Sequence, residues 1–193
     1  MSKETLKKNI QNKISDYIKY NFKKIIVLLI LLIVFLLTYI FYINLKKESE
    51  IKLSEKYTQA SIQFKQNNIN ESKLLLENVI DKGHKFYSPL ALYFVIDNNL
   101  ETDPLKIISL FDKILKISSI DKENLNLIKI KKAIFLFNVN DEELIIKTLN
   151  PVINSKSVWR NLAIKLISNY FLSIDQKTKA NEYIQLLNST KIQ

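Results

Sequence analysis

The side chains that could carry out catalysis are few in this chain of 193 residues. His84 is the only histidine and follows Gly83, so a metal site would lack a second imidazole and no serine motif lies near enough to form a triad. The chain has no cysteine, which excludes a disulfide framework, a thiolate metal site and a cysteine nucleophile. We interpret His84 as a solvent-exposed turn residue and expect no metal or cofactor.

Carboxylates form two clusters, Asp141-Glu142-Glu143 and Asp121-Lys122-Glu123. Both fall in predicted first turns of helices, where acidic side chains complement the helix dipole without a catalytic role. One glycine cannot build a phosphate-binding loop. General acid–base chemistry would have to rest on carboxylates and lysines in no recognisable arrangement. We therefore predict that the chain is not an enzyme and has no small-molecule substrate.

The formal net charge of +10 is concentrated near the N-terminus. Residues 1–47 contain nine lysines against two acids, or +7, whereas residues 48–193 contain nineteen lysines and Arg160 against seventeen acids, or +3. Because Arg160 is the only arginine, bidentate recognition of phosphate or guanine is poorly supplied. The charge pattern argues against nucleic-acid binding.

Residues 25–43 form an uncharged apolar run with the sequence IIVLLILLIVFLLTYIFYI. As a helix it would measure about 28 Å, close to the thickness of the hydrocarbon layer. It has no polar face, unlike a core helix of a soluble protein, and it is too long for a cleaved signal peptide. We predict a membrane anchor at 25–43, represented by Ile25, Leu28, Leu32, Phe35, Tyr39 and Ile43.

Lysines predict the direction of this anchor. They dominate its N-terminal flank, whereas on the other flank they alternate with Glu48, Glu50 and Glu55, so the N-terminus is expected to stay in the cytoplasm. The lysines to which we assign this orientation are Lys7, Lys8, Lys13, Lys19, Lys23 and Lys24. Residues 1–24 then form a basic cytoplasmic stub. Its apolar stripe fits both an amphipathic helix on anionic lipid and a short frayed tail, and consists of Leu6, Ile10, Ile14, Tyr17 and Ile18.

Residues 44–193 have apolar positions at helical spacing, interrupted by capping residues. With 1 Gly and 3 Pro, the composition disfavours a fold with many tight turns, so the predicted fold class is all-α. The first helix is predicted to end at Gln66-Asn67-Asn68, the second at Gly83 and the sixth at Asn150-Pro151. The predicted N-terminal caps of the second to eighth helices are Asn70, Ser88, Asp103, Asp121, Asp141, Ser157 and Asp175.

The predicted hairpins begin near residues 51, 87, 121 and 157, a repeat of about 35 residues. This period favours a tetratricopeptide-like solenoid of about four helical hairpins, with an irregular helical bundle as the alternative. Residues expected to pack the repeats are Ala60, Ser72, Ala91, Phe111, Trp159, Ala163 and Ala180.

Two apolar faces are predicted to be buried in the core. The fifth helix presents Leu127, Ile130, Ile134 and Phe137, and the seventh presents Trp159, Leu162, Leu166 and Tyr170. The second face could also form a binding hot spot around Trp159-Arg160, but packing is the favoured interpretation.

The order of a charged stub, one span and degenerate hairpins resembles the YfgM-like ancillary subunits of the SecYEG translocon. The likeness is carried by the stretch from Asn150 to Leu187, in particular by Trp159-Arg160, Ala163, Asp175 and Ala180. The resemblance implies a single-pass protein of the bacterial inner membrane whose C-terminal domain is periplasmic. It further implies a position beside the translocon and a role in passing exported proteins to periplasmic chaperones, without catalytic residues.

The sequence thus favours a protein-binding module that a membrane anchor holds near its clients. A scaffold of another envelope or cell-division complex would have the same architecture and is the alternative. No partner-binding residues are assigned at this stage.

Overall fold

The computed structural model describes the backbone of residues 3–188 and the side chains of residues 19–187, Ile25 excepted. Within this range every regular element is an α-helix, in agreement with the predicted all-α class. The predicted apolar stripe of the stub, together with the side chains of Lys7, Lys8, Lys13 and Ile25, lies outside the described residues.

Eight helices follow one another in the described chain. They are α1 (Lys3–Lys65), α2 (Ile69–Asp81), α3 (Tyr87–Asp97), α4 (Pro104–Leu115), α5 (Lys122–Val139), α6 (Glu142–Ile153), α7 (Arg160–Ser173) and α8 (Lys177–Asn188). The chain divides into two compact units, Met1–Lys52 and Leu53–Gln193, and α1 contributes residues to both.

The predicted span and the predicted first hairpin helix belong to the same helix, α1. Residues 44–52 connect them and include neither glycine nor proline, so nothing in this stretch disfavours helix. Glu48 and Lys52, one turn apart, form an ion pair with 2.7 Å between carboxylate oxygen and ammonium nitrogen. The helix ends at Lys65, directly before the predicted stop at residues 66–68.

Three of the predicted caps act as expected. The Asp103 carboxylate accepts a hydrogen bond from the backbone N–H of Leu105, and Pro104 occupies the first helical position. Asp121 and Asp141 each accept from the backbone N–H three residues later, at 3.0 and 2.9 Å. These side chains satisfy N–H groups that have no acceptor within the helix.

The prediction that Ser88 caps α3 is wrong, because His84 takes that role. Its Nδ1 accepts hydrogen bonds from the backbone N–H groups of Phe86 and Tyr87, both at 3.2 Å. Ser88 is buried inside the helix, where its hydroxyl donates to the Val79 carbonyl at 2.9 Å. Pro89 is tolerated because it lies in the first turn, where backbone N–H groups have no intrahelical acceptor.

Three further caps are corrected. Asn70 lies inside α2, which begins at Ile69. Ser157 precedes α7 by three residues, and its hydroxyl accepts from the Trp159 N–H at 3.1 Å within the preceding turn. Asp175 adopts a left-handed conformation with φ of 59° after the end of α7, before Gln176 leads into α8.

Left-handed residues reverse the chain after several helices. Gly83 does so after α2, with φ of 63°, as its position at the predicted stop suggested. The other described residues with positive φ are Asn67, Asn99, Asn140 and Asp175. Asn and Asp tolerate this region better than other residues with a Cβ atom, so a chain with one glycine still makes tight helix ends.

The predicted end of the sixth helix at Asn150-Pro151 is wrong, because α6 continues to Ile153 with Pro151 inside it. Val152 and Ile153, which follow the proline, are almost completely buried. Burial of two aliphatic side chains is worth roughly 3–6 kcal/mol, which offsets the roughly 3 kcal/mol that an internal proline costs.

The apolar interior of the second unit consists of two clusters that meet on α5. The first extends from Leu53 to Ile128, and the second from Ile130 to Ala180. The predicted core face of α5 is therefore only partly right. Ile130 is buried, but Ile134 is 47 % exposed, because the neighbouring helices cover the sides of α5 that carry Asn126, Ala133 and Leu136.

The predicted core face of α7 needs one similar correction. Tyr170 is buried, and Trp159 and Leu166 pack against the second cluster. Leu162 is 39 % exposed and lies at the border of this face. The buried face of α7 is centred instead on Ala163, Ile167 and Phe171.

Candidate functional site

A concave surface lies between α3 and α5, and we call it the α3–α5 groove. One end is a cavity of about 170 Å³ with walls formed by Phe86, Leu90, Leu127 and neighbouring residues. The other end is a cavity of about 230 Å³ bordered by Ile134 and Phe135. Tyr93 lines both cavities and so forms their common wall.

Some apolar side chains that line this groove are exposed to solvent. Phe86 is 59 % exposed and Ile134 is 47 % exposed. Apolar surface that stays accessible in a concave site is typical of binding surfaces. The groove therefore has the concave shape and the exposed apolar side chains that suit a segment of another molecule.

A lysine lies over the wall between the two cavities. The Lys131 ammonium is 4.2 Å from the centroid of the Tyr93 ring, a cation–π arrangement. Burial raises the pKa of Tyr93 to about 12, so its phenol stays protonated and neutral. None of the carboxylates in the described part of the chain forms an ion pair with Lys131. Its positive charge thus remains available to a partner.

Elsewhere in the domain, buried charges have structural partners. Glu101 receives hydrogen bonds from the backbone N–H groups of Thr102 and Asp103, and the ammonium groups of Lys73 and Lys106 lie 2.9 and 3.1 Å from its Oε2. The hydrogen bond from Lys73, followed by that from the Asp103 backbone, lowers the pKa of Glu101 to about 2. This network of hydrogen bonds and ion pairs joins α2 to the segment before α4, and we assign it a structural role.

The residues predicted to pack the repeats are mostly inaccessible. Ala60, Ser72, Ala91, Ala163 and Ala180 are completely buried, Phe111 is 1 % exposed, and Trp159 is partly buried. Sequence reasoning placed these residues in the interior but missed the groove residues Tyr93 and Lys131. A signal for Lys131 was its place on one helical stripe of α5, in which polar and apolar side chains alternate: Asn124, Leu127, Lys131, Ile134 and Asn138.

The anchor residues form a separate surface on α1. The described part of α1 from Lys19 onward contains an apolar window with a mean hydropathy of 3.1. No residue of this window is buried within the described chain. This helix is long and apolar enough to cross a membrane. Leu28, Leu32, Phe35, Tyr39 and Ile43 are all exposed, as are the flanking Lys19, Lys23 and Lys24.

Among the described residues, histidine and acidic side chains form no group of three that could hold a metal ion. His84, expected to be an exposed turn residue, is partly buried and caps α3. In comparisons with known proteins, no family model, no curated protein and no solved structure matches this chain.

Proposed function

We propose that this chain is a protein-binding module that its N-terminal helix anchors in a membrane. The observation that carries the proposal is the apolar window of α1, which is entirely uncovered by the rest of the described chain. Transfer of a Leu or Ile side chain out of water gains roughly 1.5–3 kcal/mol, so a run of this length has a strong tendency to enter lipid. The groove on the helical domain then supplies the binding surface.

We also propose that the domain is a tetratricopeptide-like solenoid. Polar contacts between successive hairpins support this arrangement, because the two partners in each contact are separated in the sequence by nearly the predicted period. Glu123 accepts from the Ser157 hydroxyl 34 residues away, Glu142 accepts from Gln176 34 residues away, and Lys113 contacts Asp81 32 residues away. Helix pairs α2–α4 and α5–α7 are also in contact, as expected when each hairpin stacks on the next.

For the client, we propose a Sec-type translocon and exported polypeptides at the outer face of a bacterial inner membrane, with periplasmic chaperones as later partners. The support is the layout of stub, span and hairpins and the lysine asymmetry around the span. Anchoring raises the local concentration of a weak groove beside emerging chains, so modest affinity would suffice.

Photocrosslinking in cells tests this proposal. A photoreactive amino acid would replace Leu127 in the groove or, as a control, the exposed Leu186 on α8. We expect translocon subunits or exported chains to be captured from position 127 and not from position 186. Loss of the captured products on deletion of residues 1–47 would support the role of the anchor. Capture of wall-assembly or cell-division proteins instead would contradict the translocon as client.

A further inference from the structure

The α3–α5 groove has two apolar cavities of a size that suits single side chains. Their volumes are about 170 and 230 Å³, below the roughly 300–1,000 Å³ of sites that enclose small molecules. Leu127 lines one cavity and Ile134 the other, seven positions apart on α5. At 1.5 Å per residue this places the two cavities about 10 Å apart along the helix. A fitting occupant would therefore present two apolar side chains at that separation.

The positive charge of Lys131, at the wall between the cavities, further restricts which segments can bind. Lys131 belongs to the same stripe of α5 as Leu127 and Ile134, and lies between them in the sequence. Its ammonium is held 4.2 Å from the Tyr93 centroid, at the wall that the cavities share. A lysine whose ammonium is already held over an aromatic ring has fewer conformations to lose when an anion binds.

The other ionisable groups that line the two cavities are Lys85 and Asp97. Lys85 lines the smaller cavity, and Asp97 lines the larger one together with Lys131. Two ammonium groups against one carboxylate leave the lining positive. Asp97 repels an acidic residue placed close to it, whereas Lys131 attracts one, so a carboxylate is favoured beside Lys131.

We propose that the α3–α5 groove binds protein segments with two apolar side chains about 10 Å apart and a carboxylate between them, which pairs with Lys131. This inference rests on the proposed protein-binding function and names the chemistry of its partner. The basic stub of the same chain, with seven lysines against two acids in residues 1–24, has the wrong charge for this role. An acidic and apolar segment of a different protein fits better.

A peptide selection tests the inference with the full-length chain in detergent micelles. The probe is a phage-displayed library of random dodecapeptides, and enriched peptides are then synthesised with a fluorescent label. We expect enriched sequences to share an Asp or Glu between two large apolar residues. Their affinity, measured by fluorescence anisotropy, should fall about tenfold or more in Lys131→Glu, and a peptide with Lys in place of the acid should bind this variant again.

Lys129→Glu is the matched control, since it makes the same charge change on the same helix outside the cavity linings. It should weaken binding less than about twofold. Lys131→Met removes the charge but keeps a long unbranched side chain, and should also lower the affinity. Asp97→Asn should raise it. Thermal unfolding followed by circular dichroism identifies variants that lose affinity through misfolding.

Several results would overturn the inference. One is a selection that yields no peptides, or peptides without an acidic residue. Equal losses in Lys131→Glu and Lys129→Glu would also do so, as would a dimer that Lys131→Glu dissociates, because the occupant would then be a second copy of the chain. Crosslinking from position 127 separates the two proposals. Captured proteins together with acid-free peptides would contradict the inference alone, whereas the absence of captured proteins from every exposed position of the domain would contradict the proposed function.

Discussion

The Ser72 hydroxyl donates a hydrogen bond to the backbone carbonyl of Ala60 across 2.9 Å, and both residues are completely buried. The two small side chains let α1 and α2 approach closely enough for a side chain of one helix to reach the backbone of the other. The twelve-residue separation of two small residues indicated this approach in the sequence. The hydrogen bond itself needed the structure.

Substitutions of Ser72 should therefore show that close packing at this position contributes more to stability than the hydrogen bond does. Ser72→Ala keeps the small volume and should lower the free energy of unfolding by about 1 kcal/mol, whereas Ser72→Leu should cost about 3 kcal/mol or more because there is no space for the added atoms. Chemical denaturation in detergent micelles measures both. Ser119→Ala, at an exposed position, should have almost no effect. Equal costs for the Ala and Leu variants would contradict the close approach.

Glu101 should make stability depend on pH in the acidic range. Its pKa is lowered from 4.5 to about 2 in the folded chain, so the ionised form stabilises the fold above about pH 4.5, and this contribution is lost as the pH falls toward 2. Glu101→Gln should lower the free energy of unfolding by about 2 kcal/mol at neutral pH, and the difference from wild type should shrink at about pH 3. Denaturation at several pH values measures this. A loss that stays constant with pH would contradict the role of the charge, and the exposed Glu182→Gln is the control.

Glu123 should couple the third and fourth hairpins. Its Oε2 accepts from the Ser157 hydroxyl at 2.6 Å and from the Val158 backbone N–H at 3.2 Å. Glu123→Ala and Ser157→Ala should each cost about 1–2 kcal/mol, and the double variant should cost less than their sum by roughly 0.5–1 kcal/mol. A double-mutant cycle from denaturation curves measures the coupling. Strict additivity would show that the contact does not stabilise the stack.

His84 should stabilise the start of α3 through its ring nitrogen. His84→Ala removes the acceptor of the Phe86 and Tyr87 N–H groups and should cost about 1 kcal/mol. His84→Asn supplies another acceptor and should recover part of this loss. Thermal unfolding ranks the three proteins, and hydrogen exchange at residues 86 and 87 locates the effect. Identical stability of the Ala and Asn variants would argue against capping.

The anchor should depend on the apolar character of α1 and not on particular side chains. Simultaneous replacement of Leu28, Leu32 and Phe35 by Lys should cost about 2.5–3.5 kcal/mol per residue at the centre of a span, enough to release the chain from membranes. Replacement of the same three by Ala is the control and should keep it bound. Resistance to alkaline carbonate extraction measures the bound fraction. Equal extraction of both variants would contradict the proposed span.

The helical class and most helix positions could be predicted because they depend on local patterns. Asp103, Asp121 and Asp141 were recognised as caps since an acid directly before an apolar helical stretch has one favourable local role. Asp175 and Ser157 are also residue types that cap helices, but the role of Asp175 depends on how α7 ends and that of Ser157 depends on Glu123 of the neighbouring hairpin. Such contacts between distant segments leave no local signal.

The groove could not be predicted for a related reason. Leu127 and Ile134 share a helical face, which spacing shows, but spacing does not reveal which of two apolar faces the neighbouring helices cover. On α5 the covered sides carry Ala133 and Leu136, and the face with Ile134 stays open. Tyr93 and Lys131 meet only because α3 and α5 border the same groove.

Because the two apolar interiors meet on α5, the domain can fold in stages while the chain is synthesised from its N-terminus. The residues of the first interior, with the side chains packed against it, end at Phe135. A nascent chain can therefore assemble this half before α6, α7 and α8 exist. Ile130 and Leu136, which belong to the second interior, then already lie on a folded helix, where the apolar side chains of the later helices can pack against them. The protein can thus mature in two successive steps as it emerges.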